Sequence, residues 1–244
     1  MQKISKILTL LLTIFTLAIS LSLTCLANSS GFDLEYSTNE EATEIFKEHY
    51  QFRPIEERKM TAGFSCFAAN ELGQYALGFS SGDKTILVYD NDGTYLYGFD
   101  FDLSGSFYLD FDGETLIVYS VRGDVAIYVD STGTCLAHAK IQDTKSNQEY
   151  WRELQRPSRK IGTNIYHAGF LGNYPKISEY GQYSTLKKLS ANNKETILYD
   201  NTDRMVKPLI FTAVGVLLFV SIAIIVLVYN LITWNRKRKT SIHF

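Results

Sequence analysis

Gly78-Phe79-Ser80-Ser81-Gly82 has the spacing of a nucleophile elbow, where a strained strand-to-helix turn lifts a serine toward a histidine. Here the residues that follow, DKTILVYD, read as a strand, so no catalytic role is assigned to Ser80. The aspartate pairs Asp90/Asp92, Asp100/Asp102 and Asp110/Asp112 set carboxylates two apart, on one face of an extended strand or at the mouth of a turn. Such oxygens suit Ca²⁺, but Val88 and Tyr108 stand where a complete D-x-D-x-D-G loop needs its first aspartate. Turn-forming aspartates on a solvated rim are the expectation, with no metal site. Cys66 and Cys135 remain after loss of the leader, and buried thiols are favoured over a cross-link between them. His49, His138 and His167 lack ligand spacing, and no cofactor is expected. Arg122-Gly123-Asp124 spells an integrin-binding tripeptide, yet a tight turn already accounts for its glycine and aspartate.

Aromatic side chains stack on sugars, but most tyrosines here fall at regular strand positions, where sheet packing explains them. Tyr150 and Trp151 fall elsewhere, in the stretch QDTKSNQEYWRELQRPSRKIG, beside Arg152 and Arg156. Insertions on a rigid scaffold are where recognition resides, so these four residues form the expected contact surface.

The scaffold is legible as a repeat. Residues 67–101 superpose on 108–141 with an offset of 40 from Gly73 onward: Gly73 meets Gly113, Asp90 meets Asp130 and Gly93 meets Gly133. In the first unit the spacing predicts strands over 64–69, 75–79, 85–89 and 94–101; in the second, over 107–111, 115–120, 125–129 and 134–141. Asp-Gly and Asn-Asp-Gly supply residues that tolerate positive φ between them. TLIVY and VAIYV are apolar throughout, as for strands covered on both faces, while TYLYGFDF alternates. Four antiparallel strands per roughly 40 residues suit a β-propeller blade. A degenerate third unit is expected over 162–190, with ETILYD (195–200) as one further strand. The fold class is therefore all-β, an open or atypical propeller-like ectodomain, with a ring completed by a second chain as an alternative. Thr38-Asn39-Glu40-Glu41 has capping-box form, and Ala42, Ile45, Phe46 and Tyr50 share a face, predicting a short amphipathic helix over 39–51.

The ends carry membrane signals. Lys3 and Lys6, an apolar stretch from Ile7 to about Leu23 and small residues near Ala27 read as a secretory signal over 1–27. Residues 209–234 are free of charge, and about 20 residues suffice to cross a hydrocarbon core. Arg236, Lys237, Arg238 and Lys239 follow, which places the tail (235–244) in the cytoplasm and residues 28–207 outside, with a single transmembrane helix over 208–234 in the cell membrane. Formal net charge is −2, but all 26 Asp and Glu lie between Asn28 and Val206, against 17 Lys and Arg there, a local net of −9.

The order of YALGF, SSGDKTILVYDNDGTYLYGFDF, GSFYLDFDGETLIVYSVRGDVAIYVDSTG, an EYW segment and ETILYDN resembles a group of exported, membrane-anchored β-propeller-like repeat proteins of low-GC Gram-positive bacteria. The resemblance spans about residues 60–201 and implies topology, not activity. The expected function is a non-catalytic binding, sensing or scaffolding module on the membrane. Its partner would be another membrane or cell-surface protein or a glycan, with no role for nucleic acid. The alternatives are a cell-surface glycan-processing or hydrolytic enzyme, and an adhesin.

Overall fold

The computed structural model describes residues 31–36, 50–170 and 182–240. The expected signal sequence, and all but the last two residues of the expected helix over 39–51, lie outside the described residues. Short hairpins dominate the rest. In the first sheet β3 (Cys66–Ala69), β4 (Tyr75–Phe79), β5 (Lys84–Tyr89) and β6 (Tyr95–Phe101) form an antiparallel meander, and β2 (Phe52–Pro54) adds beside β6. A second meander of β7 (Phe107–Asp112), β8 (Thr115–Ser120), β9 (Val125–Val129) and β10 (Cys135–Ile141) receives β1 (Leu34–Tyr36) beside β10. After helix α1 (Lys145–Leu154), the third comprises β11 (Ser158–Ile161), β12 (Asn164–Gly169), β13 (Thr185–Leu189) and β14 (Glu195–Asp200). None of these sheets closes on itself.

One turn design recurs. At Asn70, Asp90, Asp130 and Ser190 the carbonyl accepts the N–H three residues on, from Gly73, Gly93, Gly133 and Asn193, at 2.8–3.2 Å. The N–H of the first residue donates to the carbonyl four residues on, at 2.9–3.1 Å. The fourth residue then has positive φ, +91°, +89°, +87° and +59° in that order, the left-handed geometry that glycine and asparagine tolerate. Asp90 and Asp130 tighten their turns alike, each side chain accepting the N–H groups two and four residues on at 2.9–3.0 Å. A side chain that satisfies two turn amides explains an aspartate repeated every 40 residues.

Strand alternation then sends each sheet's side chains two ways. In the first sheet Ile86, Val88, Phe99 and Phe101 pack against Leu109, Leu116, Val118 and Ile127 of the second. Its other face, with Phe67, Tyr75, Leu77, Phe79 and Leu87, packs against Tyr166, Ala168 and Leu186 of the third. This middle sheet is buried on both sides, which is why Ile86, Leu87, Val88 and Tyr89 run without a charged residue between them. The far face of the second sheet, Ile117, Tyr119, Ala126 and Tyr128, is covered by Phe32 and α1.

Two expectations need correction. The third sheet begins at Ser158 rather than at residue 162, and 195–200 is its fourth strand rather than an addition to it. The physical reason is pairing: Ser158–Ile161 is an antiparallel partner for Asn164–Gly169 across a tight turn at Gly162, whose φ is +57°.

The last element among the described residues is α2 (Thr202–Thr240), long and apolar enough to cross a membrane over Thr202–Asn230. Only Asn201 separates it from β14. That residue is buried; its amide donates to the Ala62 carbonyl at 3.0 Å and its N–H to the Ser184 carbonyl at 2.9 Å. The start of the helix is thus fixed to the third sheet.

Candidate contact surface

Helix α1 is placed by its N-terminus. Thr144 caps it, its hydroxyl accepting the Asn147 N–H at 3.2 Å. Asn147, 1% exposed, accepts the Asp33 N–H at 2.7 Å and donates to the carbonyls of Asp33 at 3.0 Å and Gln142 at 2.6 Å. The Asp33 carboxylate accepts the Ser146 and Thr144 hydroxyls at 2.6 and 3.0 Å. These two bonds, Ser146 foremost, hold its carboxyl below the usual aspartate range. A segment far upstream is thereby buttoned to the first turn of α1.

Aromatic packing fixes the rest of the helix. The Phe32 ring lies 4.6 Å from that of Tyr150, 4.7 Å from Trp151 and 4.8 Å from Tyr119. Gly31 runs flat against the Tyr150 ring, where any Cβ would collide. Tyr150 and Trp151 are therefore half-buried cover for the second sheet and not the exposed stacking platform expected from sequence. The far face of that sheet is apolar, and two large rings on one helix face are the means of covering it.

Below the helix lies a polar chain that sequence reasoning missed. The Tyr150 hydroxyl donates to Asp110 on β7. Burial, and then the neighbouring Asp110 carboxylate, push the Tyr150 phenol well above its usual range, so it stays protonated and donates. Asp110 pairs at 3.4 Å with Arg159 of β11, whose side chain is 7% exposed. Arg159 also donates to the Phe67 carbonyl on β3 at 3.0 Å and lies 5.8 Å above the Phe67 ring. One guanidinium so joins the first strands of all three meanders, β3, β7 and β11, and Tyr150 ties α1 to the same point. Arg159 sits in a basic stretch and reads as surface; the readable clue is strand alternation in Ser158–Ile161, which turns Arg159 away from exposed Ser158 and Lys160. Likewise Thr144 followed by Asn147, Leu154 and Pro157 carries the signal for α1.

Arg152 is exposed in the last turn of the helix and Arg156 just beyond its C-terminus, close to Glu149 and Glu153. With Gly31, Ser146 and the Tyr150 edge they line a shallow groove of about 420 Å³. Of the four expected contact residues, the two arginines are exposed and the two aromatics pack against the second sheet.

The other motifs resolve locally. Ser80 lies in the β4–β5 turn between two strands, its hydroxyl 2.7 Å from that of Ser65. Asp100 accepts from Thr85 at 2.7 Å and pairs with Arg58 at 2.5 Å, while Asp102 pairs with Arg53 at 2.9 Å. Among the described residues no three His, Cys, Asp or Glu side chains gather as metal ligands. Cys66 and Cys135 are both buried and unbridged, and burial pushes the Cys66 thiol up to about 12. His138 is a half-buried strand residue and His167 an exposed one. Arg122, Gly123 and Asp124 form the exposed β8–β9 turn, with Asp124 at φ +48°. No family model and no curated protein matches this chain.

Proposed function

We propose that this chain is an exported, single-pass membrane protein whose β domain is a non-catalytic binding, sensing or scaffolding module. In this reading α2 crosses the cell membrane, with Arg236, Lys237, Arg238 and Lys239 holding its far end in the cytoplasm. The three meanders form an open, propeller-like fan about the Arg159 junction, in keeping with the resemblance of residues 60–201 to exported, membrane-anchored repeat proteins.

The observation that carries the binding role is the seating of α1. Exposed Arg152 stands on a helix locked by Asn147, Tyr150 and Trp151, and Arg156 follows its C-cap with its N–H bonded to the Glu153 carbonyl at 3.0 Å, so little backbone freedom is lost when a partner arrives. A cell-surface protein or glycan bearing carboxylates suits the two guanidinium groups that line this groove. A photo-crosslinking amino acid in place of Gln148 should give a discrete adduct in intact cells. The adduct should vanish in Arg152→Glu/Arg156→Glu while the unfolding midpoint stays put. Adducts formed instead from position 81 or 121, with none from 148, would move the binding role off α1. The adhesin reading keeps one favourable observation, the exposure of Arg122, Gly123 and Asp124 at a hairpin tip.

A further inference from the structure

Charge is segregated along this fold. Residues 62–143, which hold the first two meanders, contain twelve Asp and Glu against three Lys and Arg; residues 151–194 contain eight Lys and Arg against two Asp and Glu. Of these eight, Lys160 and Lys187 lie on the outer face of the third sheet, whereas Arg159 is sealed at the junction and Lys188 turns inward to Asn91. Alternation and register put Lys160, Ile165, His167, Lys187, Leu189 and Ile197 on that outer face, the side away from the first sheet. Ile165 is 39% and Ile197 57% exposed. Glu195 brings a carboxylate to this face, and Lys187 pairs with it at 2.9 Å. The corresponding face of the second sheet is covered by α1 and Phe32; on this one Lys160, Ile165, His167 and Ile197 are exposed.

The same sheet is the one joined to the membrane helix. Asn201 alone separates β14 from α2, with its side chain and N–H both bonded into the domain, and the carbonyl of Asn201 accepts the Arg204 and Met205 N–H groups at 3.2 Å. Arg204 and Lys207 are exposed on the first turns of α2. A basic face with apolar residues, tethered beside a bilayer, meets headgroup phosphates at high local concentration. Exposed Lys160 pairs with a phosphate and the isoleucines enter the interfacial layer, while the acidic meanders are repelled. We infer that the outer face of the third sheet rests on the anionic headgroup surface of the bilayer that α2 crosses, which fixes the orientation of the domain.

The inference rests on α2 spanning the bilayer, which incorporation of the full chain into lipid nanodiscs tests separately. Ile197→Cys in a Cys25→Ser background accepts an environment-sensitive dye, since Cys66 and Cys135 are buried. In discs carrying phosphatidylglycerol, spin-labelled lipids should quench this dye at least about threefold more than in phosphatidylcholine discs, and the excess should fall as salt screens the contact. Lys160→Glu/His167→Glu should abolish that excess without altering thermal unfolding. Equal quenching in both kinds of disc overturns the inference, as does strong quenching that the double variant leaves unchanged. Loss of an envelope protein or glycan from the double variant, with quenching intact, overturns it in favour of a macromolecular partner.

Discussion

Arg159 lies where burial makes a single charge consequential. Removing it leaves Asp110, 14% exposed, without its cation beneath α1, and breaking a pair of this kind costs about 3 kcal/mol. Arg159→Ala should lower the urea unfolding free energy by that amount. Arg159→Met with Asp110→Leu should recover more than half of it, because no lone charge is then left inside. The repeated turns allow a second test at one residue. Gly93 and Gly133 share nearly the same φ, but a Cβ on Gly93 meets nothing closer than 3.7 Å, whereas one on Gly133 meets the Phe52 carbonyl at 2.5 Å. Gly93→Ala should therefore show backbone strain alone, about 1 kcal/mol, and Gly133→Ala distinctly more. Equal melting temperatures for the two variants would contradict the packing of β2 against the β9–β10 turn.

Between elements, the link from the upstream segment to α1 decides whether the helix is a detachable insertion. Asn147 makes three hydrogen bonds while nearly wholly buried, so Asn147→Ala should cost about 2 kcal/mol and raise hydrogen exchange through 145–154. Asp33 gives this link a pH dependence. Its folded pKa lies below the unfolded value of about 3.9, so its contribution is fully present above that value and is lost as pH falls through the folded pKa. Acid titration followed by Trp151 fluorescence should show loosening below about pH 4 that Asp33→Asn lacks, since the amide no longer titrates. The same packing explains why excising 144–160 removes more than a loop: Asn147, Tyr150, Trp151 and Arg159 would leave together.

For the whole molecule, three sheets packed through two-sided β-strands imply that its thiols are sealed. At about pH 8 neither Cys66 nor Cys135 should react with a thiol reagent until the domain unfolds, because burial keeps them out of reach and holds Cys66 protonated. That silence makes introduced cysteines clean reporters of orientation. With Cys25→Ser, Asn192→Cys on the exposed β13–β14 turn should take up an impermeant maleimide on intact cells. Thr240→Cys should label only after permeabilisation. The reverse pattern would place the β domain in the cytoplasm and remove the proposed export.

Properties carried by a few neighbouring residues were readable from the chain alone. Turn chemistry at Asn-Asp-Gly and Ser-Thr-Gly, apolar runs such as TLIVY and the uncharged span before Arg236 each depend on local sterics, alternation or length, and the strands of the first two meanders lie within two residues of where those rules put them. Which face meets which neighbour is not local. Arg159 and Lys160 are alike as letters, yet one is sealed among three sheets and the other faces outward, because alternation sorts sides but only packing decides which side is interior. Tyr150 and Trp151 looked like a free aromatic platform until the bare face of the second sheet claimed them. The tertiary structure also assigned residues 195–200 to the third sheet, since backbone N–H and C=O groups must pair and β13 was the strand within reach.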